Sequence, residues 1–212
     1  MSIAQNLQQI KNNIPKHINL VAVSKTKTNE AILEAYNLNH KDFGENKVQE
    51  LVKKYEELPK DIQWHMIGHL QSNKVKYIAP FVHLIHAVDS LKLLKEIDKR
   101  AKQNTRNIDC LLQVQIAQED TKFGFGLDEI ENIIQNIEQY KNVNIKGLMG
   151  MASYTTNTEQ INNEFKKIHI LYKKIKNDKI SVLSIGMSTD YQLAINNGST
   201  MVRIGSSIFG KR

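Results

Sequence analysis

Short apolar runs alternate with amphipathic stretches along most of this chain. Leu20-Val21-Ala22-Val23 is a β-type run ending at Ser24-Lys25, and residues 29–37 follow with helical character. Asp42-Phe43-Gly44 is a second run, after which Val48, Leu51, Val52 and Tyr55 keep helical spacing over 47–57. Trp64-His65-Met66-Ile67 leads to a helix over 71–78, and the run 82–88 leads to a helix over 91–103 capped by Ser90. The second half repeats the rhythm. Runs over 108–116, 143–149 and 182–186 are each paired with a helix, over 127–140, 159–176 and 191–196, the last closed by Gly198. An eighth run, Thr200-Met201-Val202-Arg203-Ile204, ends at Gly205-Ser206-Ser207.

Eight strands, each followed by a helix or the chain end, recur about every 26 residues. Alternating β and α elements imply a parallel sheet with right-handed crossovers. Eight such units predict a closed (β/α)8 TIM barrel, shorter than the usual 250 residues or so. The rival is an open doubly wound sheet, which needs a glycine-rich phosphate loop after its first strand. Ser24-Lys25-Thr26-Lys27 stands there instead. No Pro/Gly/Ser-rich linker interrupts the chain, so residues 1–212 are expected to form one domain.

Composition changes this picture little. Hydrophobic residues at 41% and charged residues at 24% are ordinary for a globular protein. No apolar run approaches the roughly 20 residues that cross a bilayer, and the first residues lack the basic start and apolar block of a signal peptide. The lone Cys110 excludes a disulfide scaffold and a multi-cysteine metal site, so a cytoplasmic protein is expected. The net charge of +7 favours an anionic partner. The lysines are scattered through helix-like segments rather than gathered in one arm. A small anionic ligand fits the same charge balance equally well, and nucleic acid is not expected as a partner.

The candidate chemistry collects where a barrel puts it, at the C-terminal ends of the strands. The loops after strands seven and eight, the usual phosphate-binding pair, are Gly186-Met187-Ser188-Thr189-Asp190 and Gly205-Ser206-Ser207. Each offers glycine for close approach and a hydroxyl at a helix start, where amide N–H groups point outward; simple helix capping explains either one alone. Lys25 shares one face of strand one with Val21 and Val23, so it either points into the barrel mouth or is a surface lysine like its neighbour Lys27. A partly desolvated lysine there can condense with an aldehyde. On strand eight Met201, Arg203 and Gly205 share the face opposite Val202 and Ile204, which sends Arg203 inward, toward a ligand or into an ion pair with a carboxylate such as Glu45. Phosphate cradle, condensing amine and interior cation together match the phosphate, aldehyde and ring nitrogen of pyridoxal 5′-phosphate (PLP).

Several motifs also resemble one family. They are Ala22-Val23-Ser24-Lys25-Thr26-Lys27, Phe43-Gly44-Glu45-Asn46 with Val48-Gln49-Glu50, and Trp64-His65-Met66-Ile67-Gly68-His69-Leu70-Gln71-Ser72-Asn73-Lys74. Gly147-Leu148-Met149, Gly186-Met187-Ser188 with Asp190, and 198–205 with Ile208-Phe209-Gly210 continue the series. From about Asn19 to Arg212 the chain resembles the pyridoxal phosphate homeostasis protein family. The resemblance implies a fold like the N-terminal barrel domain of alanine racemase, with Lys25 as the internal aldimine lysine. It implies Ser188, Gly205 and Ser206 at the phosphate, Arg203 beside the pyridine nitrogen, and Asn46 and Met149 lining the pocket.

The implied role is to hold PLP and deliver it to apo-enzymes through transient contacts, without robust catalysis. The alternative is a PLP-dependent racemase or lyase of low activity. Racemisation needs an acid/base group on each face of the substrate. In the racemases the second is a tyrosine from a C-terminal β domain, and none is expected here. An arginine on the pyridine nitrogen also disfavours its protonation and weakens the ring as an electron sink. A Schiff-base aldolase or phosphosugar isomerase would use the same lysine and loops. No metal site is assigned: His65 and His69 lie four apart and His83 and His86 three apart, with no clustered carboxylate in the sequence to complete a set. His65 and His69 alternate with Ile67 and are expected to face the pocket. With no heptad seam and no obvious apolar patch, a monomer is the default.

Overall fold

Eight parallel strands close on themselves in sequence order, β1 pairing with both β2 and β8. In this computed structural model they are β1 (Asn19–Val23), β2 (Asp42–Glu45), β3 (Gln63–Met66), β4 (Leu84–Val88), β5 (Ile108–Val114), β6 (Val143–Gly150), β7 (Val182–Met187) and β8 (Met201–Ile204). The structure describes residues 2–118 and 123–210. The expected TIM barrel is present.

Alternation along the strands makes two cores. Outward residues such as Ala22, Phe43, Trp64 and Ile85 pack beneath the helices in the main apolar layer. Inward residues Val21, Leu84, Ala87, Leu111, Met149 and Met201 form a smaller cluster inside the cylinder. The helices are α1 (Ile3–Asn13), α2 (Asn29–Tyr36), α3 (Val48–Glu57), α4 (Val75–Ile78), α5 (Leu91–Gln103), α6 (Glu129–Gln135), α7 (Thr158–Ile175), α8 (Tyr191–Asn196) and α9 (Ser206–Phe209). Ser90 caps α5 as expected, its hydroxyl accepting from the Leu93 N–H at 3.3 Å.

Three elements differ from the sequence reading. The helix expected over 71–78 is a 3-10 turn, Ser72–Lys74, followed by the four residues of α4. The helix expected over 127–140 shortens to α6 followed by a 3-10 turn, Ile137–Gln139. Asn136 is the break: its side-chain amide bonds back to the Asn132 carbonyl at 2.8 Å, competing with the helical backbone. The third difference is α1, which precedes the β/α rhythm. Ser2 and Gln5 form a capping box, and Leu7 and Ile10 are buried at helical spacing. α1 packs on α2 and α9, with the Asn6 side-chain amide donating to the Ile208 carbonyl at 3.0 Å. Among the described residues no helix is long and apolar enough to cross a membrane.

Candidate functional site

The exit of β1 is fixed by an unusually dense set of bonds. The Ser24 N–H donates to the Gly44 carbonyl at 3.0 Å, continuing the sheet one residue past β1. Parity turns Glu45 outward, away from the barrel axis, where it is fully buried under α3. Its Oε1 accepts from Ser24 Oγ at 2.6 Å and from Lys54 Nζ at 2.8 Å. Lys54 also donates to the Ser24 carbonyl at 2.9 Å and to Glu50 at 2.7 Å, and Glu50 accepts the Thr26 N–H at 2.6 Å. Burial pushes the Glu45 carboxyl up, against the pull of Lys54 and Ser24. Thr26, a β-branched residue, is held at φ 65°, a left-handed conformation that such residues adopt only under constraint. Half-buried Lys25 sits between these two clamped residues, on the rim of the barrel mouth. Lys27 reaches across the rim, its Nζ donating to the Phe209 and Gly210 carbonyls at 3.1 Å each.

The opposite wall comes from the exits of β7 and β8. Gly186 has φ 95°, and a Cβ there would lie 2.6 Å from the Ala194 Cβ, so the turn into α8 admits only glycine. Asp190 accepts the Met187 N–H at 2.5 Å, and burial pushes its carboxyl up. The Ser188 hydroxyl accepts from the Gly205 N–H at 3.1 Å. One contact thereby joins the two loops. Gly68, after β3, lies so close to Asn46 that a Cβ would fall 2.5 Å from the Asn46 carbonyl oxygen, which fixes Asn46 at the rim.

Arg203 forms the floor. It is 4% exposed, and its Nη1 donates to the Ser184 carbonyl and hydroxyl at 2.8 and 2.6 Å. Its Nη2 donates to the Gly150 carbonyl at 3.0 Å. Burial lowers its pKa to about 10, with Asp190 pulling the other way, and the group stays cationic at neutral pH. The alternative pairing of Arg203 with Glu45 does not occur, because Glu45 is on the other side of the sheet. A polar chain continues below. The Ser184 hydroxyl meets His86 Nδ1 at 3.2 Å, and His86 Nε2 meets His65 Nδ1 at 2.9 Å. His65 Nε2 then meets Asp42 Oδ1 at 3.0 Å.

These walls enclose a cavity of about 310 Å³, at the small end of ligand-sized pockets. Lys25, Asn46, Ser188, Arg203, Gly205 and Ser206 all line it. Met149 does not. It is fully buried in the cluster inside the cylinder, one layer below, and Met151 on the same face reaches the wall instead. Strand parity identifies the inward face but not the depth at which the mouth begins. His65 and His69 also depart from expectation. His65 belongs to the interior chain, while His69 is exposed, paired with Asp89 at 2.8 Å and stacked on Phe123 with ring centroids 4.0 Å apart. The sequence reading passed over Met151 and Tyr154, which share the wall, while Thr189 of the expected phosphate loop also reaches it. Met151 was the accessible one, two residues beyond Met149 in the same period.

A closed barrel with a basic, hydroxyl-lined mouth is shared by many proteins, and comparison narrows the choice. The profile of the alanine racemase N-terminal domain family matches residues 1–212. The pyridoxal phosphate homeostasis protein of Aquifex aeolicus is 41% identical over 197 residues, covering 91% of this chain and 86% of that one. This chain belongs to the pyridoxal phosphate homeostasis protein family. The Haemophilus influenzae member is 37% identical over 202 residues, covering 92% of this chain and 85% of that protein. PipY of Synechococcus elongatus, solved with PLP bound, superposes with a TM-score of 0.89 at 31% identity, over 99% of this chain and all of its own. An alanine racemase from Clostridium difficile shares the fold, with a TM-score of 0.82 at 15% identity over all of this chain and 57% of that enzyme.

Proposed function

We propose that this chain binds PLP in the cavity at the barrel mouth and serves intracellular PLP homeostasis. The observation that carries the reading is the convergence on one cavity of an amine, a cation and a pair of joined loops. Lys25 is on one wall, Arg203 on the floor, and Ser188, Gly205 and Ser206 opposite. The PLP bound in PipY and the names of the curated relatives support it. The donor set fits the cofactor. Hydroxyls and the first amides of α9 suit a phosphate, and the Arg203 guanidinium is aimed by three fixed acceptors.

PLP supplies a reactive aldehyde. Lys25 Nζ, the amine on the cavity wall, would hold that aldehyde through a reversible covalent link formed with loss of water. The clamped residues on either side, Ser24 and Thr26, hold the amine at the rim. Arg203, on the floor, would hold the ring-nitrogen end of PLP and would disfavour protonation there, which suits storage and opposes carbanion chemistry. Asn46 lines the same mouth. Residues 1–212 act as one binding unit that gives the cofactor up to apo-enzymes in the cytoplasm through transient contacts, working as a monomer. Sequestration has a chemical purpose, since the free aldehyde attacks other amines.

The test is the absorption spectrum of the purified protein with PLP, before and after borohydride, followed by peptide mapping of the reduced adduct. The expected label is on Lys25, and Lys25→Ala is expected to lose the visible band and the label. A Lys25→Ala protein that keeps both moves the link to another lysine and overturns the assignment. Mixing the loaded protein with an apo-enzyme tests delivery. Exchange of amino-acid α-protons in heavy water at rates typical of enzymes would instead favour a racemase.

A further inference from the structure

The opposite end of the barrel carries a second cluster of ligating side chains that the PLP reading does not use. Asp42 opens β2, His65 is in β3, and His83 immediately precedes β4, so three neighbouring strands bring them together at the N-terminal end of the cylinder. One donor atom from each lies within 4.8 Å of the other two. Asp42 Oδ1 and His65 Nε2 are already 3.0 Å apart, the separation of two adjacent ligands bound to one ion at about 2.1 Å each. The His65 and His83 rings are 5.3 Å apart between centroids, and exposed His83 is free of the packing that fixes His65. The sequence reading looked for the partner of His65 along its own strand, at His69. The fold supplies the carboxylate from β2 and the second imidazole from the approach to β4.

We propose that Asp42, His65 and His83 form a binding site for a borderline divalent transition ion of the Zn²⁺, Co²⁺ or Ni²⁺ class, at the barrel end opposite the cofactor pocket. Two imidazoles and one carboxylate select such ions over Mg²⁺ or Ca²⁺, which prefer all-oxygen shells. Three protein ligands leave further positions for water, and the exposure of His83 gives the ion a path in from solvent. The second shell is in place. His65 Nδ1 is held by His86 Nε2 at 2.9 Å, the kind of partner that fixes the ring and tautomer of a metal-bound histidine. Arg106, the nearby cation, is occupied by the Ala79 and Val82 carbonyls at 2.6 and 2.9 Å.

Binding would reverse the interior hydrogen-bond chain. With both imidazoles neutral, the Asp42 carboxylate takes the His65 Nε2–H, which leaves His65 Nδ1 to accept from His86 Nε2–H and His86 Nδ1 to accept from the Ser184 hydroxyl. With the ion on His65 Nε2, that proton moves to Nδ1, so each of the next two bonds runs the other way. Ser184 then accepts from both His86 and Arg203. No proton need leave the chain if each imidazole only changes tautomer. The reach of the site is thus the floor of the pocket, although binding itself does not depend on PLP.

The experiment uses the full chain without an affinity tag and without added PLP, titrated with Co²⁺ and read by its visible d–d bands, with Zn²⁺ competition by calorimetry. One equivalent is expected to bind. His83→Ala, an exposed change that leaves the barrel packing intact, is expected to weaken Co²⁺ by tenfold or more, and Asp42→Asn to do likewise. His69→Ala, at the other end of β3, is expected to change nothing. ¹⁵N spectra of the imidazoles are expected to show His65 and His86 exchanging tautomers on Zn²⁺ addition. Absence of a one-to-one Co²⁺ complex in the wild-type chain, or unchanged affinity in His83→Ala, overturns the site. Retention of PLP binding in either case separates this failure from any failure of the cofactor reading.

Discussion

Replacing Lys54 with methionine removes the cation from a buried cluster while keeping most of its volume. Lys54 is 5% exposed and Glu45 fully buried, and Lys54 supplies three bonds, to Glu45, Glu50 and the Ser24 carbonyl. Breaking a buried ion pair from one side costs about 3–5 kcal/mol, because the remaining charge is left uncompensated. Here the upper part of that range is expected, since two carboxylates then face each other without a cation between them. For a domain of this size the loss corresponds to a fall in Tm of about 6–20 °C. The penalty should depend on pH. Glu45 already has its pKa raised by burial, and without Lys54 it rises further. A carboxyl raised in the folded state binds more protons there than when unfolded. Its contribution is therefore fully present below the ordinary value of 4.5 and is lost as pH rises through the folded pKa. The deficit of Lys54→Met relative to wild type is thus larger at pH 8 than at pH 5. Urea unfolding followed by the fluorescence of Trp64, the single and fully buried tryptophan, measures it at both pH values. A double variant, Lys54→Met with Glu45→Leu, should recover much of the loss. A single variant within about 1 kcal/mol of wild type at both pH values would refute the view that this cluster holds the β1 exit.

Gly186→Ala introduces a side chain at φ 95° and 2.6 Å from the Ala194 Cβ, and is expected to lower stability by about 1–3 kcal/mol, read by thermal melting. Ser188→Ala removes the acceptor of the Gly205 N–H and is expected to weaken PLP binding roughly tenfold, read by fluorescence titration, with little change in folding. Ser2→Ala breaks the capping box of α1 and should cost about 1 kcal/mol in urea unfolding.

The barrel was legible because period-two runs alternate with amphipathic helices eight times, and each run tolerates burial on both faces. Helix α1 carried an equally plain signal in Ser2, Gln5, Leu7 and Ile10, but it falls before the first strand and outside the repeating unit. The alternation of faces was legible as well. Gly44 and Glu45 are consecutive, so parity puts them on opposite faces. The sequence left open which of the two faces in, and with it the pairing of Glu45 with Arg203, until the structure placed Gly44 against Val21 inside the cylinder. Depth was not legible. Met149 and Met151 share a face, and only the closure of the cylinder decides which reaches the cavity. Contacts across the interior were also hidden. His86 and Ser184 are 98 residues apart and come from β4 and β7, strands that share no hydrogen bond. No local pattern encodes a meeting of that kind.

The Lys27 clamp on the Phe209 and Gly210 carbonyls has a temporal consequence. Lys27 and Phe209 are 182 positions apart in sequence, so the rim is complete only once the segment that follows β8 has been laid against the exit of β1. Closure of the rim therefore waits on the pairing of β8 with β1, the contact that turns the sheet into a cylinder.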